Sequence, residues 1–246
     1  MTRHHDGWYQ SLSPTAHVGT RYQFRINEDL VVPDPASFFQ PDDVWAPSEV
    51  IDTAAFRDSV LYPGRPWAEA VIYELHVGTF SEEGTYAGVE KKLPYLRDLG
   101  ITAIELMPLN DVPGRHNWGY DGVLLNAPNA RYGRPEDLKR LVRAAHALDI
   151  MVYLDVVYNH FGPQLNYLHL YAESFFTTQP HQRVLDQELA HERAVVSLEV
   201  DGRAPAGAVA RGEEAFRVEV QVIQLRPEMV IDDVEIDHDV EGVRRA

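Results

Sequence analysis

The chain has no cysteine among its 246 residues. That excludes disulfides, Cys-ligated zinc and thiol catalysis, and leaves the redox compartment open. Basic residues are scarce: 22 Lys and Arg against 38 Asp and Glu give a formal net charge of −16. A surface of that sign lacks the clustered cations that nucleic acid or an anionic membrane requires, so neither is expected as a partner. No stretch approaches the ~18 uninterrupted apolar residues of a membrane span. The start, MTRHHDGWYQ, lacks the apolar core of a secretory signal. These absences lead to the expectation of a soluble cytoplasmic protein, and nothing in the sequence fixes its oligomeric state. G-x-S-x-G, Walker A and dinucleotide-binding fingerprints are missing too, which leaves acyl, phosphoryl and hydride transfer without support.

Aromatic residues are missing from one region only. All 12 Tyr and all 4 Trp precede residue 178, and Phe216 is the only Phe, Tyr or Trp after it. The rest of the composition, 45% hydrophobic and 24% charged, suits a globular chain with a sizeable core. The sequence divides into three parts on this evidence: 1–66, 67–177 and 178–246.

In the first part, Arg21 to Ile26 alternates polar and apolar residues with the period of a half-buried strand, and Leu30 to Val32 follows a turn. Pro33, Pro35, Pro41 and Pro47 then rule out helix or central strand. Two or three antiparallel strands and a long connector are expected. So few strands cannot cover both faces of a sandwich, so this part reads as the end of a larger β domain.

The second part alternates strand and helix patterns. Strands are predicted at Ala70–Leu75, Ile101–Met107 and Ile150–Val156. Between them, Val89, Leu93, Leu96 and Leu99 share one helical face closed by Gly100, with Pro94 expected to kink that helix or delay its start. Pro135-Glu136-Asp137 opens a second helix, whose stripe is Leu138, Leu141, Val142, Ala145 and Leu148. That order implies an α/β fold with parallel strands. The third part is acidic and valine-rich. Phe216 to Val222 alternates like a strand, but the βα rhythm does not continue. Disorder, fusion to an unrelated piece, or translation out of frame would each produce such a tail.

The residues that carry chemistry cluster where the third predicted strand ends, in LDVVYNHFGPQLNY (154–167). An apolar run reaches Asp155, with Asn159 and His160 close behind, which is how a central parallel strand emerges at its C-terminal end. From the residues alone, Asp155 is an acid, a base, a nucleophile or an orienting carboxylate. His160 has no second ligand at metal-site spacing, so no metal or cofactor is expected. The loop NDVPGRHNWGYDGV (110–123) places Trp118 and Tyr120 among glycines, and such rings either plug the barrel rim or stack on the apolar face of a sugar.

Together VIYELHVGTFSEEGTY, LGITAIELMPL, NWGYDGV, YGRPEDLKRLV and LDVVYNHFGPQLNYL make the stretch from Ala70 to Thr177 resemble the α-amylase superfamily, glycoside hydrolase family 13. The FGP, NYL and FFT segments are most similar to those of its members that release trehalose from maltooligosyltrehalose. DGWYQ, GTRYQFRI and VPDPASFFQP look like the end of that family's N-terminal β-sandwich and linker, extending the resemblance to roughly Asp6. The resemblance implies a partial (β/α)8 TIM barrel, its first three β/α units preceded by the end of the sandwich. It implies an α-glucan or maltooligosyltrehalose substrate, and substrate-binding roles for Trp118, Tyr120, Asp121, Asp155, Asn159 and His160. Asp155 is the family's orienting carboxylate rather than its nucleophile, and Tyr120 is the ring that stacks on the sugar. A retaining glycosidase needs two carboxylates about 5 Å apart. Nothing after Thr177 matches the family's nucleophile or acid/base segments, so no catalytic residue is assigned and the chain is expected to be an inactive fragment. Two alternatives stay open. One is a 1,4-α-glucan branching enzyme, which usually carries another residue in place of Asp121, and the other is a non-catalytic truncated product.

Overall fold

The computed structural model describes residues 2–3, 8–26, 28–58, 61–158, 160, 162, 165–167 and 170, and three strands between 198 and 237. The first part carries β1 (Thr2–Arg3), β2 (Trp8–Ser13), β3 (Arg21–Arg25), β4 (Val31–Val32) and β5 (Ser48–Glu49). β3 follows its alternating sequence: Tyr22 and Phe24 are buried and their neighbours are half-buried. The proline-rich connector is held by a buried polar network. The Tyr22 hydroxyl donates to the Asp34 carboxylate at 2.7 Å. The Ser48 hydroxyl donates to the Gln40 side-chain oxygen at 2.9 Å and accepts from the Asp34 N–H at 3.1 Å.

The second part is built on β6 (Ile72–Leu75), β7 (Ala103–Leu106) and β10 (Met151–Leu154), with the hairpin of β8 (Asn110–Asp111) and β9 (Leu124–Pro128) between the last two. β6 and β10 both pair in parallel with β7. The helices are α1 (Val77–Phe80), α2 (Tyr86–Asp98) and α3 (Pro135–Ala147); α1, a single turn after β6, is absent from the sequence expectation. Pro94 lies inside α2 without delaying its start, which the Thr85 hydroxyl caps by accepting from the Gly88 N–H at 3.2 Å. The proline is on the exposed side of the helix, away from the packed core. Leu99, expected on the buried stripe, is 59% exposed. It is the C-cap, and Gly100 (φ 94°) turns the chain there while Ile101 N–H donates back to Leu96 O at 3.0 Å. α3 ends in the same motif, with Asp149 (φ 60°) in glycine's place.

Leu75, Ile104 and Leu106 pack with Val89, Leu93 and Leu96 of α2 and Leu141 and Ala145 of α3, with Val152 against the same cluster. Ile104, Leu106, Val152 and, by strand alternation, Leu154 therefore lie on the helix-facing side, and the opposite face falls to Glu74, Glu105 and Tyr153. At the open edges Ile72, Tyr73 and Leu154 are exposed.

The described strands of the third part are β11 (Leu198–Asp201), β12 (Phe216–Gln221) and β13 (Asp233–Asp237). They do not extend the parallel sheet. β12 pairs antiparallel with all six residues of β2 and with β11, and β13 pairs antiparallel with β3. Antiparallel addition needs no helical crossover, which the sequence of this part does not provide. Among the described residues no helix is long and apolar enough to cross a membrane.

The first part is tied to the second through carboxylates. Buried Glu49 accepts from Arg21 of β3 at 3.3 Å and from Arg134 at the N-terminus of α3 at 2.6 Å, and the Arg134 guanidinium also lies 4.5 Å from the Phe39 ring centre. Asp58 pairs with Lys139 and, at 2.7 Å, with Arg143 on α3. Asp149 accepts from the Tyr62 hydroxyl at 2.8 Å and pairs with Arg65, and Tyr62 stacks on His146. Replacing Glu49 by Ala removes the carboxylate that the two arginines share, leaving Arg21 with Asp42 at 3.0 Å and Arg134 with Glu136 at 3.2 Å. The expected loss is about 2–3 kcal/mol, less than for a wholly buried pair because Arg134 reaches solvent. A lowered urea midpoint by circular dichroism is the measurement, and an unchanged midpoint contradicts the tie.

Candidate functional site

Hydrogen bonds continue one step past the three strands. Met107 N–H donates to Leu75 O at 3.0 Å and Asp155 N–H to Leu106 O at 2.9 Å, which sets His76, Met107 and Asp155 in one row at the C-terminal edge of the sheet. The 110–123 loop folds over this row. Its turn depends on Gly119, at φ 90°, where a Cβ would lie 2.1 Å from the Pro108 carbonyl oxygen. Trp118 and Tyr120 leave the chain on either side of that glycine. Trp118 is 73% exposed and Tyr120 40%.

The Tyr120 hydroxyl donates to Asp155 Oδ2 at 3.0 Å. That hydrogen bond, then burial and the charges of Asp155, Glu74 and Glu105, push the Tyr120 phenol up, which keeps it a donor. Two of the sequence-predicted site residues, Tyr120 and Asp155, are thus in direct contact. His160 is half-buried, two residues before Gly162, whose N–H donates to Gly122 O at 2.8 Å and fastens the segment to the loop. Asp121, beside that tether, is exposed. Asn159 lies outside the described residues.

The sequence reading missed Glu74, His76, Glu105 and Tyr132. The signal lay in the repeated pattern of YELH and IELM, each with a polar residue inside an apolar strand. Glu74 and Glu105 are register partners. The His76 ring bonds Tyr132 OH through Nε2 at 3.1 Å. Among the described residues no cluster of three or more His, Asp or Glu is placed to hold a metal ion.

Comparison with known proteins matches residues 42–187 to the model of the alpha amylase catalytic domain. The malto-oligosyltrehalose trehalohydrolase of Deinococcus radiodurans is 49% identical over 178 residues, 72% of this chain and 29% of that protein. That of Saccharolobus solfataricus is 46% identical over 168 residues, 68% of this chain and 30% of that protein. A 1,4-alpha-glucan branching enzyme of Nitrobacter winogradskyi is 33% identical over 170 residues, 63% of this chain and 24% of that protein. A crystal structure from Salmonella typhimurium, described as an alpha amylase, superposes with a TM-score of 0.63 at 47% identity, covering 67% of this chain and 28% of that one. The chain therefore spans less than a third of the length of these relatives.

Asp111, at the base of the loop, is buried, and among the described residues its Oδ2 has no hydrogen-bond partner. Burial pushes its carboxyl up to about 8, against the Val112 N–H, which favours the charged form; the Asp43 charge adds to the rise and Arg131 opposes it. Asp34, also raised by burial, sits at about 6. In each case the folded state holds the proton more tightly than the unfolded chain. The resulting stability is full below about pH 4 and is lost as pH rises through about 6 for Asp34 and about 8 for Asp111. Asp111→Asn, which keeps the acceptor for Val112, is expected to leave stability at pH 4 nearly unchanged. At pH 8.5 it should raise stability by about 1–3 kcal/mol. Urea melts at both pH values measure this, and equal midpoints for variant and parent at pH 8.5 would contradict it.

Proposed function

The chain belongs to the alpha amylase catalytic-domain family, and from that premise we propose that it is the substrate-binding N-terminal portion of a maltooligosyltrehalose trehalohydrolase. Its fold is of the TIM-barrel glycoside hydrolase type. In this reading residues 1–66 end an N-terminal β-sandwich and its linker, 67–177 supply the first three β/α units of the catalytic barrel, and within 178–246 the described strands β11, β12 and β13 add to the sandwich end. Trp118 and Tyr120 lie against the apolar faces of glucose units. Asp121, Asp155, Asn159 and His160 hydrogen-bond the sugar hydroxyls. The whole enzyme cleaves the terminal α-1,4 bond of maltooligosyltrehalose to release trehalose, and the reading calls for no cofactor.

One observation carries the proposal: the hydrogen bond from Tyr120 to Asp155 at the strand-end rim, which joins the WGYDG loop to the LDVVYNH strand end. It also supports an orienting part for Asp155 in this reading. A carboxylate that accepts from a neighbouring phenol is weakened as a nucleophile and well suited to orient a ligand hydroxyl. The chemical step needs a pair of carboxylates about 5 Å apart, and the reading draws neither from Asp155. Identity of 46–49% to two trehalohydrolases, against 33% to the branching enzyme, favours hydrolysis over transfer.

Titration calorimetry with maltoheptaose tests this. The 246-residue chain is expected to bind the glucan, and Tyr120→Ala to weaken binding about tenfold, the loss of one stacked ring. No trehalose is expected from maltooligosyltrehalose. Absence of glucan binding, or binding indifferent to Tyr120→Ala, overturns the site. Trehalose release by this chain would place the nucleophile within it and overturn the assignment of binding without chemistry.

A further inference from the structure

We propose that His76 is a positioning residue that holds Trp118 in place as a second ring of the sugar platform, a role that rests on the glucan-binding reading above. His76 is the first residue past β6 and stands in the same row as Asp155. Both nitrogens of its ring are engaged: Nε2 with the Tyr132 hydroxyl at 3.1 Å and Nδ1 with the Thr79 hydroxyl at 3.3 Å. Each hydroxyl can donate or accept, so both contacts can be satisfied together and they hold the ring in orientation.

The ring belongs to a chain of aromatic contacts that runs from core to surface. Tyr86, fully buried, meets Tyr132 edge-on at 5.9 Å. Tyr132, 5% exposed, meets His76 at 5.9 Å and 87°. His76 meets Trp118 at 6.4 Å and 62°. The fit beneath is close, since a Cβ on Gly78 would come within 3.0 Å of both the His76 and the Tyr132 rings. Trp118 is the outermost ring and 73% exposed. A side chain so exposed samples several rotamers unless something limits it, and a sugar that binds only one of them bears the ordering cost. An immobilised edge-on ring lowers that cost. The ligand class is an α-linked glucose oligomer, whose apolar sugar face meets an indole that the protein already holds still.

Three variants of the full chain separate the ring from the hydrogen bond. His76→Ala removes both, His76→Phe keeps a ring without the bond to Tyr132, and His76→Gln keeps a polar partner without the ring. Acrylamide quenching of Trp118, obtained by difference against Trp118→Phe, reports its freedom with no sugar present. Maltoheptaose affinity reports the platform. The expected pattern is greater quenching and about threefold to tenfold weaker binding in His76→Ala and His76→Gln, with His76→Phe close to the parent in both, in keeping with the strength of an edge-on aromatic pair. Parent-like quenching in all three, or rescue by Gln rather than Phe, overturns the proposal and leaves His76 as part of the hydrogen-bonded packing around Tyr132. If the quenching pattern holds while neither parent nor variant binds maltoheptaose, Trp118 is positioned by His76 but the glucan reading fails.

Discussion

Register in the parallel sheet governs everything at the rim. Because Leu75, Leu106 and Leu154 stand side by side, the residues that follow them also stand side by side, and alternation sends each row to one face. The leucine row lies on the side of the helices. The rows on either side of it, Glu74 with Glu105 and His76 with Asp155, lie on the other. A slip of one residue in any strand would exchange these sets, burying carboxylates against α2 and α3. The apolar core beneath the sheet therefore fixes the polar geometry above it, and Tyr120 reaches Asp155 only because that row ends where the 110–123 loop returns.

A second constraint comes from charge. The chain is strongly acidic, yet several of its carboxylates are spent on internal ties. Glu49 joins β3 to the start of α3, Asp58 pairs with two cations on α3, and Asp149 gathers Tyr62 and Arg65 at its end. Asp149 is the most constrained of these, since a left-handed backbone at a residue other than glycine costs about 1 kcal/mol. The carboxylate offsets that by anchoring the linker, a task a glycine could not perform. The linker's path along α3 thus fixes how the first part meets the sheet from both ends of one helix. Trp45 adds a fourth tie by donating from Nε1 to Leu165 O at 2.8 Å, ten residues past Asp155.

The α/β order was legible because it rests on local signals: a proline and two carboxylates starting α3, Gly100 closing α2, and short apolar runs for β6, β7 and β10. The rim was partly legible. Asp155 announced itself as a carboxylate ending an apolar run, and Trp118 and Tyr120 as rings among glycines. His76 and Glu74 carried only the weaker signal of polar residues within YELH, because alternation along an edge strand looks like ordinary amphipathicity. Assigning the faces of β6 required its partners, and that information is not local. β2 and its pairing with β12 were illegible for the same reason: the two segments lie far apart in the chain, and a six-residue alternation does not name its partner. The buried carboxyls at Asp34, in the connector, and Asp111, at the end of the two-residue strand β8, stand where a sequence reading expects solvent.

The face that carries Glu74, Glu105 and Asp155 bears on what the rim can recognise. Ionised carboxylates only accept hydrogen bonds, and grouped as they are here they repel an anionic ligand. Within the site one donor is already committed, the Tyr120 hydroxyl to Asp155. The carboxylates call for donors on the ligand, and the rings of Trp118 and Tyr120 for an apolar plane to lie against them. A glucose unit offers both, with hydroxyls around its edge and C–H groups across its face. A phosphate or carboxylate ligand offers neither. Nor does a purely apolar one, which would leave the carboxylates desolvated without partners. Neutral, polyhydroxylated and flat on one side is the description of a ligand that this rim favours on chemical grounds alone, and it converges with the family to which the chain belongs.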